Sequence, residues 1–169
     1  MDKVKVRILV DGGQLPEYKK PGDAGCDVRV VSNTKKETSA RGRMQLNERG
    51  IMKMGKEGDY LIRPGQTLMM SLGFRVALPE GYEFQVRSRS GLAREGLVVA
   101  NAPGTVDSGY RGPMMVLIRN NNISNRIITS ESRVAQLVLK RAPQAEFEVV
   151  DSLDETARGD GGFGSTGTQ

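Results

Sequence analysis

Apolar and polar residues alternate with a period of two in several short runs. In "KVKVRILV", Val4, Val6, Ile8 and Val10 fall on one side. "DVRVV" repeats the pattern with Val28 and Val30, and "YEFQVRS" sets Tyr82, Phe84 and Val86 against Glu83, Gln85 and Arg87. "PMMVLIRN" and "RVAQLVLKR" are short, apolar and rich in β-branched residues, while "AEFEVV" alternates Phe147 and Val149 with charge. Successive side chains on a strand point to opposite faces, so this spacing predicts half-buried strands. Between the runs lie "DGG", "PGDAG", "RPGQ", "LPEG", "APG" and "RNNN", whose glycines, prolines and asparagines favour turns. No long stretch carries a capped 3.6-residue period, and the best helical candidate is a turn or two at "SGLAREG". The pattern predicts a single all-β domain over residues 1–156, a jelly-roll-like β-sandwich.

Two segments break the rhythm. Residues 32–59 are polar and strongly charged with little alternation, which predicts an inserted loop or protruding hairpin. Such an insertion is first a solvated excursion and second a contact for nucleic acid or protein. Residues 157–169 end in "RGDGGFGSTGTQ", whose glycines predict a flexible C-terminal arm. Glycine alone does not account for the Arg158, Phe163, Gly164, Ser165 and Thr166 that the arm carries.

Composition narrows the chemistry. A chain of 169 residues can bury a core without a metal or disulfide staple, and its sole cysteine, Cys26, has no partner for an internal bridge. That predicts a reducing compartment. No apolar run nears the roughly 20 residues that span a bilayer, and "MDKVKVRILV" does not read as a signal peptide. The expected location is the cytosol, or host cytoplasm or nucleus for a viral chain, with no membrane partner. Histidine is absent, which removes the commonest general base and favours oxygen-ligated ions over zinc. The net charge of +5 suits polyanions, nucleic acid or phosphorylated small molecules, as well as a plain solvated surface.

Several short segments hold candidate chemistry. "RSRSGLA" places a Ser-Gly turn between arginines, able to aim amides, a hydroxyl and a guanidinium at one anion. It also reads as an ordinary β-turn. "NAPGTVDSGYRG" brackets a short strand with two glycine-bearing turns and sets Asp107 three residues before Tyr110. A carboxylate there can take a proton from water, and a tyrosine can lay its ring on a sugar; an Asx turn is the simpler reading. "PGDAGCD" carries Asp23 and Asp27 about a glycine turn, suited to Mg²⁺ directly or through water, or to nothing but a turn. Gln136 interrupts the apolar run "RVAQLVL" and needs a hydrogen-bonding partner if buried.

Taken in order, "DAGCD", "RSGLA", "GTVDSGYRG", "RVAQL" and "RGDGGFGSTG" resemble the five motifs of the homotrimeric deoxyuridine triphosphatase (dUTPase) family. The likeness runs from about residue 15 to the C-terminus, apart from 32–59. It implies a dUTPase-like β-clip and a homotrimer with shared active sites. It also implies cleavage of dUTP to dUMP and diphosphate, with Mg²⁺ as cofactor. On this resemblance Asp107 orients and deprotonates the attacking water, and Tyr110 packs beneath the deoxyribose. A hairpin holding Asn101, Gly104, Thr105 and Val106 reads uracil through backbone groups. Met115 belongs to the same substrate-contacting set. Ser90, Gly91 and Gln136 address the phosphates, Arg89 steadies that loop and Asp107, and Asp27 meets the magnesium shell through water. In the arm, Phe163 stacks on uracil while Arg158, Gly164, Ser165 and Thr166 close over the triphosphate.

Two departures stand out. The fourth motif usually opens Gly-Asp/Glu-Arg, whereas here Glu131-Ser132-Arg133 stand, so its turn is expected to differ in shape. Cys26 occupies a place where an aromatic is common. Two alternatives remain: a relative of the dCTP deaminases, which share the fold, and a nucleotide-gated regulatory protein acting through residues 32–59.

Overall fold

The computed structural model describes residues 3–31, 59–130 and 132–162. Residues 32–58 of the predicted insertion and 163–169 of the predicted arm lie outside these. The described chain runs β1 (Arg7–Val10), β2 (Gly25–Arg29), β3 (Tyr60–Ile62), β4 (Thr67–Ser71), β5 (Phe74–Ala77) and β6 (Tyr82–Ser88). A five-residue helix α1 (Ser90–Arg94) follows, at the expected "SGLAREG". Then come β7 (Leu97–Val99), β8 (Gly104–Val106), β9 (Met115–Asn120), β10 (Arg126–Ile128) and β11 (Arg133–Arg141). No helix among the described residues is long and apolar enough to cross a membrane.

The strands form an antiparallel four-stranded sheet in the order β2-β11-β6-β8 and a three-stranded sheet β4-β9-β7, with two-stranded pairs β1-β5 and β10-β3. The period-two pattern explains the core between them. Val28, Phe84, Val86 and Leu137 turn inward from the larger sheet and meet Met70, Val116, Ile118, Leu97 and Val99 from the smaller one. Fully burying each such side chain contributes about 1.5–3 kcal/mol relative to leaving it in water. The opposite residues of β6 stay on the outer face. There Gln85 Nε2 donates to Glu83 Oε1 at 2.7 Å and Arg87 Nε to Gln85 Oε1 at 3.1 Å.

Three expectations fail. The "KVKVRILV" alternation yields a strand only at Arg7–Val10, where Ile8, Leu9 and Val10 remain exposed, Leu9 at 64%, while Val6 ahead of it packs partly against the core. "AEFEVV" forms no strand, and Phe147 and Val149 are 91% and 98% exposed. Alternation supplies an apolar face but not the surface that covers it, and Ile8–Val10 and Phe147–Val149 stay exposed among the described residues. The third failure concerns Asn101–Val106. Strand β7 pairs with β9 and β8 with β6, so residues 100–103 cross between sheets and form no hairpin.

Candidate active site

The candidate residues gather at two ends of β6. At its C-terminal end stands a buried carboxylate. Asp27 sits on β2 directly opposite Gln136 of β11, and Gln136 is opposite Arg87 of β6. Arg89, just past β6, donates from Nε to Asp27 Oδ1 at 3.0 Å and from Nη1 to the Arg133 carbonyl at 2.9 Å. Arg133 Nη1 reaches Asp27 Oδ2 at 2.9 Å, and Gln136 Nε2 lies 3.3 Å from Oδ1. The Asp27 side chain is only 6% exposed, so these donors replace the water it has lost.

Arg133 was not foreseen, and a local irregularity explains its placement. The β2–β11 register slips between Arg133 and Ala135. In a regular strand Val134 would share a face with Gln136. The bulge instead buries Val134 along with Ala135 and brings Arg133 onto the Asp27 side. Only the Arg within the departing fourth motif hinted at it. That motif's turn closes without glycine. The Ser132 amide donates to the Thr129 carbonyl at 3.0 Å, the Thr129 amide to Ser132 Oγ at 3.2 Å, and the two hydroxyls lie 3.1 Å apart.

Beside this cluster, Ser90 and Gly91 open α1 on an exposed surface. The first amides of a helix have no intrahelical acceptor, so they are free for an anion. Ser88, one residue before Arg89, fixes the neighbouring strand by accepting from the Val99 amide at 2.8 Å. Cys26, adjacent to Asp27, is buried and donates from Sγ to the Leu137 carbonyl at 3.4 Å. Burial pushes its thiol pKa up.

The other end of β6 carries Asp107. In the register, Val106 faces Phe84, so Asp107 follows next to Glu83. Asp107 is exposed, and among the described residues nothing donates a hydrogen bond to its carboxylate. Its carbonyl accepts from the Tyr110 amide at 3.1 Å, closing a tight turn. Arg111 Nη1 ties that turn from outside, donating to the carbonyls of Ser108 at 2.6 Å and Tyr110 at 2.8 Å. Tyr110 Oη donates to the Pro113 carbonyl at 2.8 Å, and the ring stays 42% exposed. Two residues further, half-buried Met115 begins β9.

Strand β8 is the edge of its sheet, so Gly104, Thr105 and Val106 carry backbone groups on one side without a strand partner among the described residues. Asn101 packs onto Gly104 so closely that a Cβ there would stand 2.9 Å from its Nδ2. A cleft of about 820 Å³ opens beside Asp107, with Leu78, Tyr82 and Pro143 among its walls. Glu80 and Glu83 line it too, and among the described residues Arg111 is its one cationic lining residue.

Six residues separate Glu83, beside Asp107, from Arg89, which at about 3.3 Å per residue is about 20 Å. Arg89 therefore steadies Asp27 and not, within one chain, Asp107. Arg158 joins neither group: it lies in a turn where its Nε donates to the Gly161 carbonyl at 2.9 Å. Phe163, Gly164, Ser165 and Thr166 fall outside the described residues.

The expected magnesium contact meets an obstacle at Asp27. Both of its oxygens are taken by Arg89, Arg133 and Gln136. Among the described residues there is also no group of three or more Cys, Asp or Glu side chains able to hold a metal ion. The described residues by themselves do not form a metal cage.

Comparison with known proteins gives one consistent result. A family model described as dUTPase matches residues 54–167. The deoxyuridine 5'-triphosphate nucleotidohydrolase of Chlamydia pneumoniae is 43% identical over 161 residues, 94% of each chain. That of Caulobacter vibrioides is 52% identical over 112 residues, covering 66% of this chain and 72% of its own. In structure, a G164S mutant of the Staphylococcus bacteriophage 80alpha dUTPase with dUpNHpp superposes with a TM-score of 0.74 at 21% identity, over 99% of both chains. A mutant dUTPase from phage phi11 of S. aureus, described as coordinating a structural Mg(II) ion, gives 0.67 at 20% identity. It covers 91% of this chain and all of its own. The fold is the jelly-roll β-clip of these proteins.

Proposed function

The chain belongs to the dUTPase family, and we propose that it is a dUTP diphosphatase, cleaving dUTP to dUMP and diphosphate. The observation that carries the reading is the contrast between two carboxylates. Asp27 is spent on two guanidinium groups and an amide, whereas Asp107 is exposed with no donor upon it among the described residues. A general base needs an accessible lone pair on its carboxylate. Asp107 takes the proton of a water as its oxygen bonds to the α-phosphorus. The bond from that phosphorus to the oxygen bridging to the β-phosphate then breaks, and diphosphate leaves with the electron pair.

The neighbouring groups serve the nucleoside. The unpaired edge of β8 at Gly104, Thr105 and Val106 matches the donors and acceptors on the rim of uracil, with Asn101 and Met115 flanking it. The Tyr110 ring lies under the deoxyribose, where a 2′-hydroxyl would collide with it. Phosphate recognition falls to the far end of β6, through Ser90, Gly91, Gln136 and Arg89. The turn held by Asp107 and Tyr110 lies about 20 Å from that end, too far for one chain to serve both parts of a nucleotide. This separation supports sites shared between copies in a homotrimer. The arm, residues 157–169, then covers the ligand with Arg158, Phe163, Gly164, Ser165 and Thr166, expelling water from the reacting centre.

Mg²⁺ enters this reading with the substrate. It would arrive on the triphosphate as the Mg·dUTP complex and neutralise part of its charge. Sequestration of the lone thiol, Cys26, suits a reducing cytosol. The regulatory alternative rests on residues 32–59, of which only Asp59 is among the described residues, and no described residue favours it.

Diphosphate release from dUTP, dCTP, dTTP and UTP, each with and without Mg²⁺, tests the proposal. Rapid release from dUTP alone supports it. Tight dUTP binding without turnover, or ammonia released from dCTP, overturns it.

A further inference from the structure

We infer that Gly112 sets the position of the Tyr110 ring and, through it, the preference for a 2′-deoxy sugar. The inference rests on the placement of Tyr110 beneath the sugar proposed above. A Cβ built on Gly112 would stand 2.5 Å from Tyr110 Cζ and 2.8 Å from Cε2, and closer still to Oη. Those separations lie far inside ordinary van der Waals contact, so any other residue here must push the ring away.

The backbone itself does not ask for glycine at this position. Gly112 is not one of the glycines with positive φ, unlike Gly96 or Gly81, so an alanine would not meet the strain of a left-handed backbone. The three atoms nearest to that Cβ all belong to the Tyr110 side chain. The clashing atoms are the far end of a side chain that can rotate, so the ring yields before the fold does.

The rest of the turn makes the ring's place exact enough to matter. Tyr110 Oη is tethered to the Pro113 carbonyl at 2.8 Å, and Arg111 pins the carbonyls of Ser108 and Tyr110. With backbone and hydroxyl both held, the ring edge rests on Gly112 while the ring remains 42% exposed toward a ligand. Gly112 is thus a positioning residue. It touches no substrate atom, yet it decides how much room is left for a 2′-hydroxyl.

The test compares kcat/KM for dUTP and UTP, with melting temperatures, in wild type, Gly112→Ala, Tyr110→Phe, Tyr110→Ala and the double variant Gly112→Ala/Tyr110→Ala. The wild type is expected to favour dUTP. Gly112→Ala should lower the dUTP:UTP ratio by about tenfold or more, the size of effect a misfitted pocket gives, with little change in melting temperature. Tyr110→Phe, which loses only the tether, should lower the ratio a few-fold, and it provides the same reading should Gly112→Ala misfold. The double variant should discriminate no worse than Tyr110→Ala. An unchanged ratio in Gly112→Ala or Tyr110→Phe overturns the inference while leaving the proposed function standing. So does a further loss when Gly112→Ala is added to Tyr110→Ala. A wild type that turns over neither nucleotide overturns both.

Discussion

Arg89 and Asp27, sixty-two positions apart in the chain, meet through a 3.0 Å bond from Nε to Oδ1. Arg133 takes the other oxygen, so one buried carboxylate fastens two strands and the loop that opens α1. Breaking a buried ion pair by removing one charge typically costs about 3–5 kcal/mol. Arg133 is 37% exposed and partly screened, which puts the expectation for Asp27→Asn at the lower end, about 3 kcal/mol. Denaturant unfolding should show that loss, with a fall in turnover as Ser90 and Gly91 lose their anchor. Wild-type stability in the variant would refute the role assigned to Asp27.

Asp107→Asn tests the other carboxylate. It keeps shape and hydrogen-bonding size but cannot take a proton. It should lower kcat by about 10²–10⁴, the usual worth of general-base catalysis, with the Kd for a non-hydrolysable dUTP analogue nearly unchanged. Because Asp107 is exposed, the melting temperature should barely move. An unaltered kcat would assign the base elsewhere.

Removing residues 157–169 should cripple turnover while the oligomer survives in sedimentation. Within the arm, Phe163→Ala should weaken binding of the dUTP analogue by about 1–3 kcal/mol, the range for a base stacked on an aromatic ring. Full activity in the truncated protein would exclude the arm from the site.

Stability should also decline on the alkaline side. Burial pushes the Cys26 thiol above its ordinary 9.0, and Tyr18 is raised by burial and by the adjoining thiolate. The folded protein thus holds these protons more tightly than the unfolded chain. Their contribution is complete below about pH 9 and is lost as pH climbs through the raised folded values. Melting temperatures measured from pH 7 to 11 should fall on the upper limb, and Cys26→Ala should flatten that fall. An identical slope in the variant would contradict the linkage.

The sequence made β6 and β11 legible because each buries one face within its own chain. Phe84, Val86 and Leu137 are inward as their spacing implies, and the outward Gln136 finds its partner in Asp27. Strands of three residues, such as β3 and β10, are too short to register a period. The exposed alternations at Ile8–Val10 and Phe147–Val149 misled because covering them takes a surface that one chain does not supply. For the site, the motif resemblance pointed to Asp107, Tyr110 and Arg89 but gave no distances. That Arg89 and Asp107 sit at opposite ends of β6 follows only from strand pairing. Arg133 was hidden because a bulge, invisible in residue type, sets which way it points.

The central claim is that one copy supplies the base and its neighbour the phosphate grip. Co-expression of Asp107→Asn and Arg89→Gln subunits carrying different tags, with purification of the mixed oligomer, tests it most directly. Each parent alone should be nearly inactive. A mixed trimer of either composition pairs an intact Asp107 from one copy with an intact Arg89 from the next at one site in three, so about a third of wild-type dUTP turnover should return. A mixed oligomer as inactive as its parents would contradict the account.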